Sequence, residues 1–341
     1  MTSVERLARL GARPTLLAVA TMNAITGLAA LLVLAPISFG LDAEAYRRGA
    51  LAVAAGGYDQ DFLYSPLAAL LATPLTWVPE AAAAVVMAAI GLAVLSLGIV
   101  VETRGLRALD RLLVAVAVLG FIPVVNELLL GQTTLLVAAT LWPVARWRDR
   151  TGHGIAFGIA MALAPKPALL PILVWMLVRR RRALLGTLLA ALVTGLVGLL
   201  AAGVDAHLRW LEVLTRAGTL ERHGNVSLWT GGLTPWSAAL AVVVIAAAAW
   251  CVWRSEDGGL IAALVAGLLL APYTLVYAVS ILLLVVRSAL RIAPWSTRLL
   301  ALIANPALIA VPAAWLGACL LGLAVATRPA PPSPSASPAP R

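Results

Sequence analysis

Residues Thr15 to Ile37 read TLLAVATMNAITGLAALLVLAPI, and Arg6, Arg9 and Arg13 stand just before them. The run carries no charge and is about 20 residues long, the length an α-helix needs to cross a hydrocarbon core of about 30 Å. A basic start before an apolar run also suits a cleavable signal. The length of this one, with no convincing cleavage site after it, argues for a retained helix with its N-terminus inside. Similar runs follow at about 81–101, 112–125, 128–145, 154–165, 168–178, 183–203, 233–253, 260–271, 273–286 and 299–326.

Of the 341 residues, 62% are hydrophobic and 12% charged, and the mean hydropathy is +0.98. Soluble domains are roughly 45–50% apolar and about 25% charged. A soluble enzyme and a disordered chain are both excluded. The sequence predicts an all-α, polytopic membrane bundle over residues 1–326 as a single domain. Residues 327–341, rich in Pro, Ala and Ser, read as a disordered tail. The net charge of +10 does not indicate nucleic-acid binding, because the arginines sit in small clusters between apolar runs. Cys251 and Cys319 lie inside such runs and match neither a disulfide framework nor a metal spacing.

The stretch Tyr64–Val78 decides the orientation of everything after it. It is about 15 residues long and holds Pro66 and Pro74. If it lies along the outer interface, 17 Lys/Arg fall inside and 8 outside; if it crosses, 9 fall inside and 16 outside. The positive-inside rule selects the first arrangement, with about eleven membrane segments. Three hairpins then have short arms, turning at Asn126-Glu127, at Pro165-Lys166-Pro167 and at Pro272-Tyr273. An arm of about 13 residues rises about 20 Å, so these turns stop short of the outer surface. Non-helical backbone at that depth must be buried in protein or line a cavity, and an outward-opening cavity is inferred.

Asp42 follows the first helix closely and is placed to cap an interfacial helix running to about Ala55, with Tyr46 and Gly49 on its face at i+4 and i+7. It is either a plain cap or a carboxylate at the cavity mouth, able to take a proton from a hydroxyl. Glu44 lies in the same loop. Asp59-Gln60-Asp61 is a D-x-D triplet of the kind that holds a metal against a diphosphate, but it falls outside, where nucleotide sugars are not expected, and a solvated loop is the better reading. Lys166 is the only lysine in the chain. An ionisable group at membrane depth between two prolines is a functional candidate, and an ammonium suits a phosphate. A snorkelling lysine is the alternative. An expected outer loop, 204–232, carries Arg209, Arg216, Arg222 and His223 against the positive-inside pattern, suiting an anionic ligand or merely a solvated loop. Glu127 is costly to bury unpaired; Asn126 and Gln132 serve a cavity or glue helices together.

These motifs together resemble glycosyltransferase family 87. The resemblance rests on the acidic residue after the first helix, Tyr58…Phe62-Leu63-Tyr64-Ser65-Pro66-Leu67…Pro74, Gly131-Gln132-Thr133-Thr134-Leu135-Leu136 and Ala164-Pro165-Lys166-Pro167. It spans about Thr15 to Val286. It implies a GT-C fold and inverting transfer of a sugar, mannose in that family, from a polyprenyl phosphate on the outer face. It implies Asp42 as the catalytic aspartate, Lys166 as the lysine of the K-P turn and Gln132 as the G-Q residue; Asn225 starts a stretch like the family's Asn-x-Ser. Pro272-Tyr273-Thr274-Leu275-Val276-Tyr277 departs from the family pattern, in which Trp and His often follow the Pro.

On this reading Asp42 deprotonates an acceptor hydroxyl while Lys166 and the outer basic residues hold the leaving phosphate. No metal or other cofactor is needed, although a weakly held ion beside Asp59 and Asp61 is compatible with it. The partners are a polyprenyl-phosphate sugar, a glycolipid or polysaccharide acceptor and the bilayer. The composition suggests the cytoplasmic membrane of a high-GC bacterium, with the active site outside. A lipid-linked sugar flippase or a non-catalytic envelope-synthesis protein would use the same cavity without a base.

Overall fold

The computed structural model describes residues 3–217, 227–229, 234–272, 274–292, 300 and 327. Among them the chain is helical, without a strand. The apolar runs fold as α1 (Ser3–Ser38), α4 (Glu80–Glu102), α10 (Arg181–Ala217) and α11 (Pro235–Arg254), and α1 is followed at once by α2 (Leu41–Ala54). Four stretches are long and apolar enough to cross a bilayer: 13–54, Glu80–Glu102, Arg181–Arg216 and Pro235–Arg254. A fifth arises if α5 (Ala108–Leu119) and α6 (Ile122–Leu130), bent by 62° to each other, form one broken span.

The remaining arms are short. α7 (Thr134–Arg146) and α8 (Thr151–Leu163) have 13 residues each and α9 (Leu170–Arg179) has 10. They rise about 15–20 Å. Length therefore lends no support to a total of about eleven membrane segments, while the short-armed hairpin that turns at Pro165-Lys166-Pro167 is present. The stretch 64–78 forms α3 (Pro66–Leu71) and a 3-10 turn, Thr73–Trp77, each too short to span.

α12 (Glu256–Leu270) is enclosed on all sides. Every residue from Gly258 to Leu269 is buried, as expected of a helix that is apolar all round. It packs against α9, α11, the 3-10 turn Pro167–Leu169 and the 3-10 segment Val276–Val285, which continues into α13 (Val286–Ile292). Trp175, Leu264, Leu268 and Ile281 fill the space between them. Small residues let α8 and α10 touch at the backbone. A Cβ on Gly154 would lie 1.8 Å from the Ala183 carbonyl oxygen, and one on Gly158 would lie 2.2 Å from that of Thr187.

Charged groups join helix ends in one layer. Arg13 pairs with Asp110 at 3.2 Å, and Glu102 meets Arg146 at 2.9 Å and Arg287 at 3.7 Å. Arg180 pairs with Glu256, and Asp149 accepts from the Arg182 and Ala183 amides at the start of α10. α7 ends in this layer, α8 leaves it and α9 returns to it. The turns at 131–133 and 164–169 therefore lie at the opposite end.

Three local expectations are corrected. Asn126 and Glu127 lie inside α6, not at a turn. The chain bends instead at Gly120-Phe121, where Pro123 fits the first turn of a new helix, and reverses at Gly131, whose φ of 75° ends α6. The expected loop from 204 is helical to Ala217: Gly203, at φ 80°, kinks α10 rather than ending it, and Ala206 and Val213 bury the continuation. Asp42 is not the N-cap of α2; Gly40 is, and Asp42 sits in the first turn. The expected tail apart from Thr327, the run 299–326 apart from Leu300, and Arg222, His223, Asn225 and Tyr273 lie outside the described residues.

Candidate functional site

Two left-handed glycines bring the site together. Gly40, at φ 78°, links α1 to α2 and donates its amide to the Leu129 carbonyl at 2.8 Å. Gly131 approaches the same place from α6, where a Cβ would lie 3.4 Å from that of Ala43 and 3.2 Å from that of Met87. The first turn of α2 is thereby held against the last turn of α6. Asp42 stands beside Gln132, with its carboxylate in the favourable field of a helix N-terminus.

The polar groups form a chain. Gln132 Nε2 donates to Asp42 Oδ2. Gln132 Oε1 accepts from the Tyr64 hydroxyl at 2.6 Å and from Lys166 Nζ at 3.2 Å, and Lys166 also donates to the Tyr64 oxygen at 3.1 Å. An ammonium only donates, so the oxygen of the Gln132 amide must face Lys166 and its NH2 must face Asp42. The carboxylate and the ammonium are one side-chain amide apart. Gln132 is buried, while Asp42 and Lys166 are half-buried.

Lys166 is held where it is by its neighbours. Pro165 and Pro167 forbid a continuous helix, so the apex is extended. Nζ lies 5.0 Å from the Tyr64 ring centroid and 5.7 Å from that of Tyr277, within cation–π reach. Ser65 caps α3, and its amide donates to the Leu163 carbonyl at 2.9 Å, tying the Tyr64 segment to the end of α8.

Aromatic packing fixes Tyr64 from the other side. It stacks on Tyr46 at 4.9 Å, and Phe62 is edge-on to both rings. The Tyr46 hydroxyl donates to Thr133 Oγ1 at 3.2 Å, and the Tyr58 hydroxyl donates to the Tyr64 carbonyl. Burial, with the Asp59 carboxylate nearby, holds the Tyr58 phenol well above its usual range, so it remains a donor. Beside this cluster Tyr64, Lys166, Thr274, Leu275, Tyr277 and Ile281 line a cavity of about 40 Å³, room for a few waters rather than a sugar.

The other residues singled out from sequence are placed as follows. Glu127 is buried, and its Oε1 accepts from the Leu135 amide at 2.8 Å. Asn126 is half-buried on α6. Glu44 pairs with Arg47 at 3.0 Å, and Arg47 donates to the Leu75 carbonyl at 3.1 Å, fastening α2 to Thr73–Trp77. Arg209 and Arg216 are exposed on the continuation of α10, with Arg216 paired to Glu212. From the same helix Trp210 donates to the Leu63 carbonyl at 3.2 Å, next to Tyr64. Asp59 and Asp61 face Arg48 at 3.3 and 3.9 Å. Among the described residues no group of three or more His, Cys, Asp or Glu could hold a metal.

Sequence reasoning overlooked Thr133, Phe62 and Tyr277. Thr133 and Phe62 stood inside the quoted motifs, and Tyr277 closed the divergent turn, so an unassigned hydroxyl or ring beside a motif residue was the available signal. A carboxylate, a cation and a phenol joined in this way can accept a proton at one end and hold an anion at the other.

A family model described as glycosyltransferase family 87 matches residues 62–276. The polyprenol-phosphate-mannose-dependent alpha-(1-2)-phosphatidylinositol mannoside mannosyltransferase of Mycolicibacterium smegmatis is 28% identical over 204 residues, covering 54% of this chain and 46% of that protein. The chain thus spans about half the length of the curated relative it matches. No solved structure matches.

Proposed function

The chain belongs to glycosyltransferase family 87, and from that premise we propose that it moves a sugar from a polyprenyl phosphate to an acceptor hydroxyl, with Asp42 as general base. The observation that carries this reading is the Asp42–Gln132–Lys166 chain of hydrogen bonds. Asp42 takes the proton of the acceptor hydroxyl. The oxygen attacks the anomeric carbon from the face opposite the phosphate, the bond from that carbon to the phosphate oxygen breaks, and the configuration inverts. The leaving polyprenyl phosphate gains a negative charge, which Lys166 and the Tyr64 hydroxyl stabilise.

The sugar is mannose on this reading, supported by the name of the mycobacterial relative. The acceptor is a glycolipid or polysaccharide. The enzyme resides in a bacterial cytoplasmic membrane with its N-terminus inside and its site facing out. The layer of arginines at the opposite end supports that orientation. Arg209 and Arg216, on the helix that reaches Leu63, serve the donor phosphate once it is bound. The test is transfer by wild type, Asp42→Asn and Lys166→Ala. Asp42→Asn should abolish turnover while donor binding persists, and Lys166→Ala should chiefly weaken the donor. An active Asp42→Asn enzyme overturns the mechanism.

A further inference from the structure

Glu127 is a buried carboxylate that the transfer chemistry above does not use. Its position at the Gly131–Thr134 turn gives it another part. Its backbone carbonyl accepts from the Gly131 and Gln132 amides, each at 3.1 Å. Its side-chain Oε1 accepts from the Leu135 amide at 2.8 Å. One residue thus grips the turn from both ends. A helix start such as that of α7 leaves its first amides without intrahelical partners, and a side chain at the N-cap commonly takes one of them. The N-cap here is Thr133, whose side chain makes no such bond and instead accepts from Tyr46. Glu127 supplies the cap from the preceding helix.

We propose that Glu127 is a positioning residue: by capping α7 across the turn it fixes the Gln132 amide between Asp42 and Lys166, and so aligns base and cation. The inference rests on the functional reading above. It acts through hydrogen-bond reach, not through charge. Two substitutions separate these. Glu127→Gln keeps a side-chain oxygen at the same reach without the charge. Glu127→Asp keeps the carboxyl group but is one methylene too short.

Transfer from labelled polyprenyl-phosphate-mannose is measured for both variants, alone and combined with Gln132→Ala. Glu127→Gln should stay within about threefold of wild type. Glu127→Asp should lose about tenfold or more in kcat, with little change in donor KM. In the Gln132→Ala background Glu127→Asp should cost nothing further, because its effect runs through that amide. A merely structural role would give additive losses. The reverse ranking of Gln and Asp, or additive losses, overturns the proposal. An activity-independent arm places cysteines at 42 and 132, with Cys251 and Cys319 replaced, and compares the rate of disulfide formation between the two Glu127 backgrounds. The rate should fall only with Glu127→Asp, and equal rates overturn the positioning role. If wild type transfers nothing, the functional reading has failed, and the cross-linking arm still decides the role of Glu127.

Discussion

Lys166 donates to both Tyr64 and Gln132 from a half-buried position, and the chemistry asked of it depends on that geometry. A hydrogen bond to a charged group contributes about 1.5–3 kcal/mol. Lys166→Ala should therefore raise donor KM by about 10- to 100-fold, measured by titrating the lipid donor. Lys166→Arg should not restore it, because a planar guanidinium cannot occupy the point-like seat between Tyr64 and Tyr277. Tyr64→Phe removes the hydroxyl that joins lysine to amide and should lower kcat/KM by about tenfold, seen in the same titration. At this scale the sequence was informative where a residue was unusual or fell within a motif. The lone lysine between prolines and the Gly-Gln pair pointed to their positions, and Asp42 stood out by its place after the first helix. Thr133 and Tyr277 gave no such signal, since each matters only through a ring or hydroxyl brought to it from another helix.

Two kinds of glycine control the elements. Gly131 sets the reversal between α6 and α7, and Gly131→Ala forces a side chain into the left-handed region at about 1–2 kcal/mol. It also presses on Met87 and Ala43. Activity should fall more than stability does, checked by comparing kcat with the thermal midpoint in detergent. Gly158 belongs to a packing seam instead. Gly158→Leu should separate α8 from α10 and cost about 1–3 kcal/mol or more of stability, read from the same midpoint. The sequence revealed the short arms and the Pro-Lys-Pro apex, because apolar length and proline are local signals. It misplaced the first reversal and the end of α10. Gly131 and Gly203 look like ordinary helix glycines until the neighbouring backbone fixes their φ.

The whole molecule separates two layers: arginines paired at one set of helix ends, and the Asp42–Gln132–Lys166 chain at the other. Composition made the membrane bundle readable in the sequence, and the spacing of arginines supplies the orientation proposed for it. Only packing shows that α12 is a buried helix, enclosed by α9, α11, the Pro167–Leu169 turn and the Val276–Val285 segment. On the proposed orientation, a cysteine at Gly57 should react with a membrane-impermeant thiol reagent in intact cells. One at Arg148 should react only after permeabilisation, with Cys251 and Cys319 replaced in both. The decisive measurement is transfer of label from polyprenyl-phosphate-mannose in membranes containing wild type or Asp42→Asn protein. Label in a new lipid or polymer with wild type alone is the predicted result. Equal transfer by Asp42→Asn, or none by folded wild type, contradicts it.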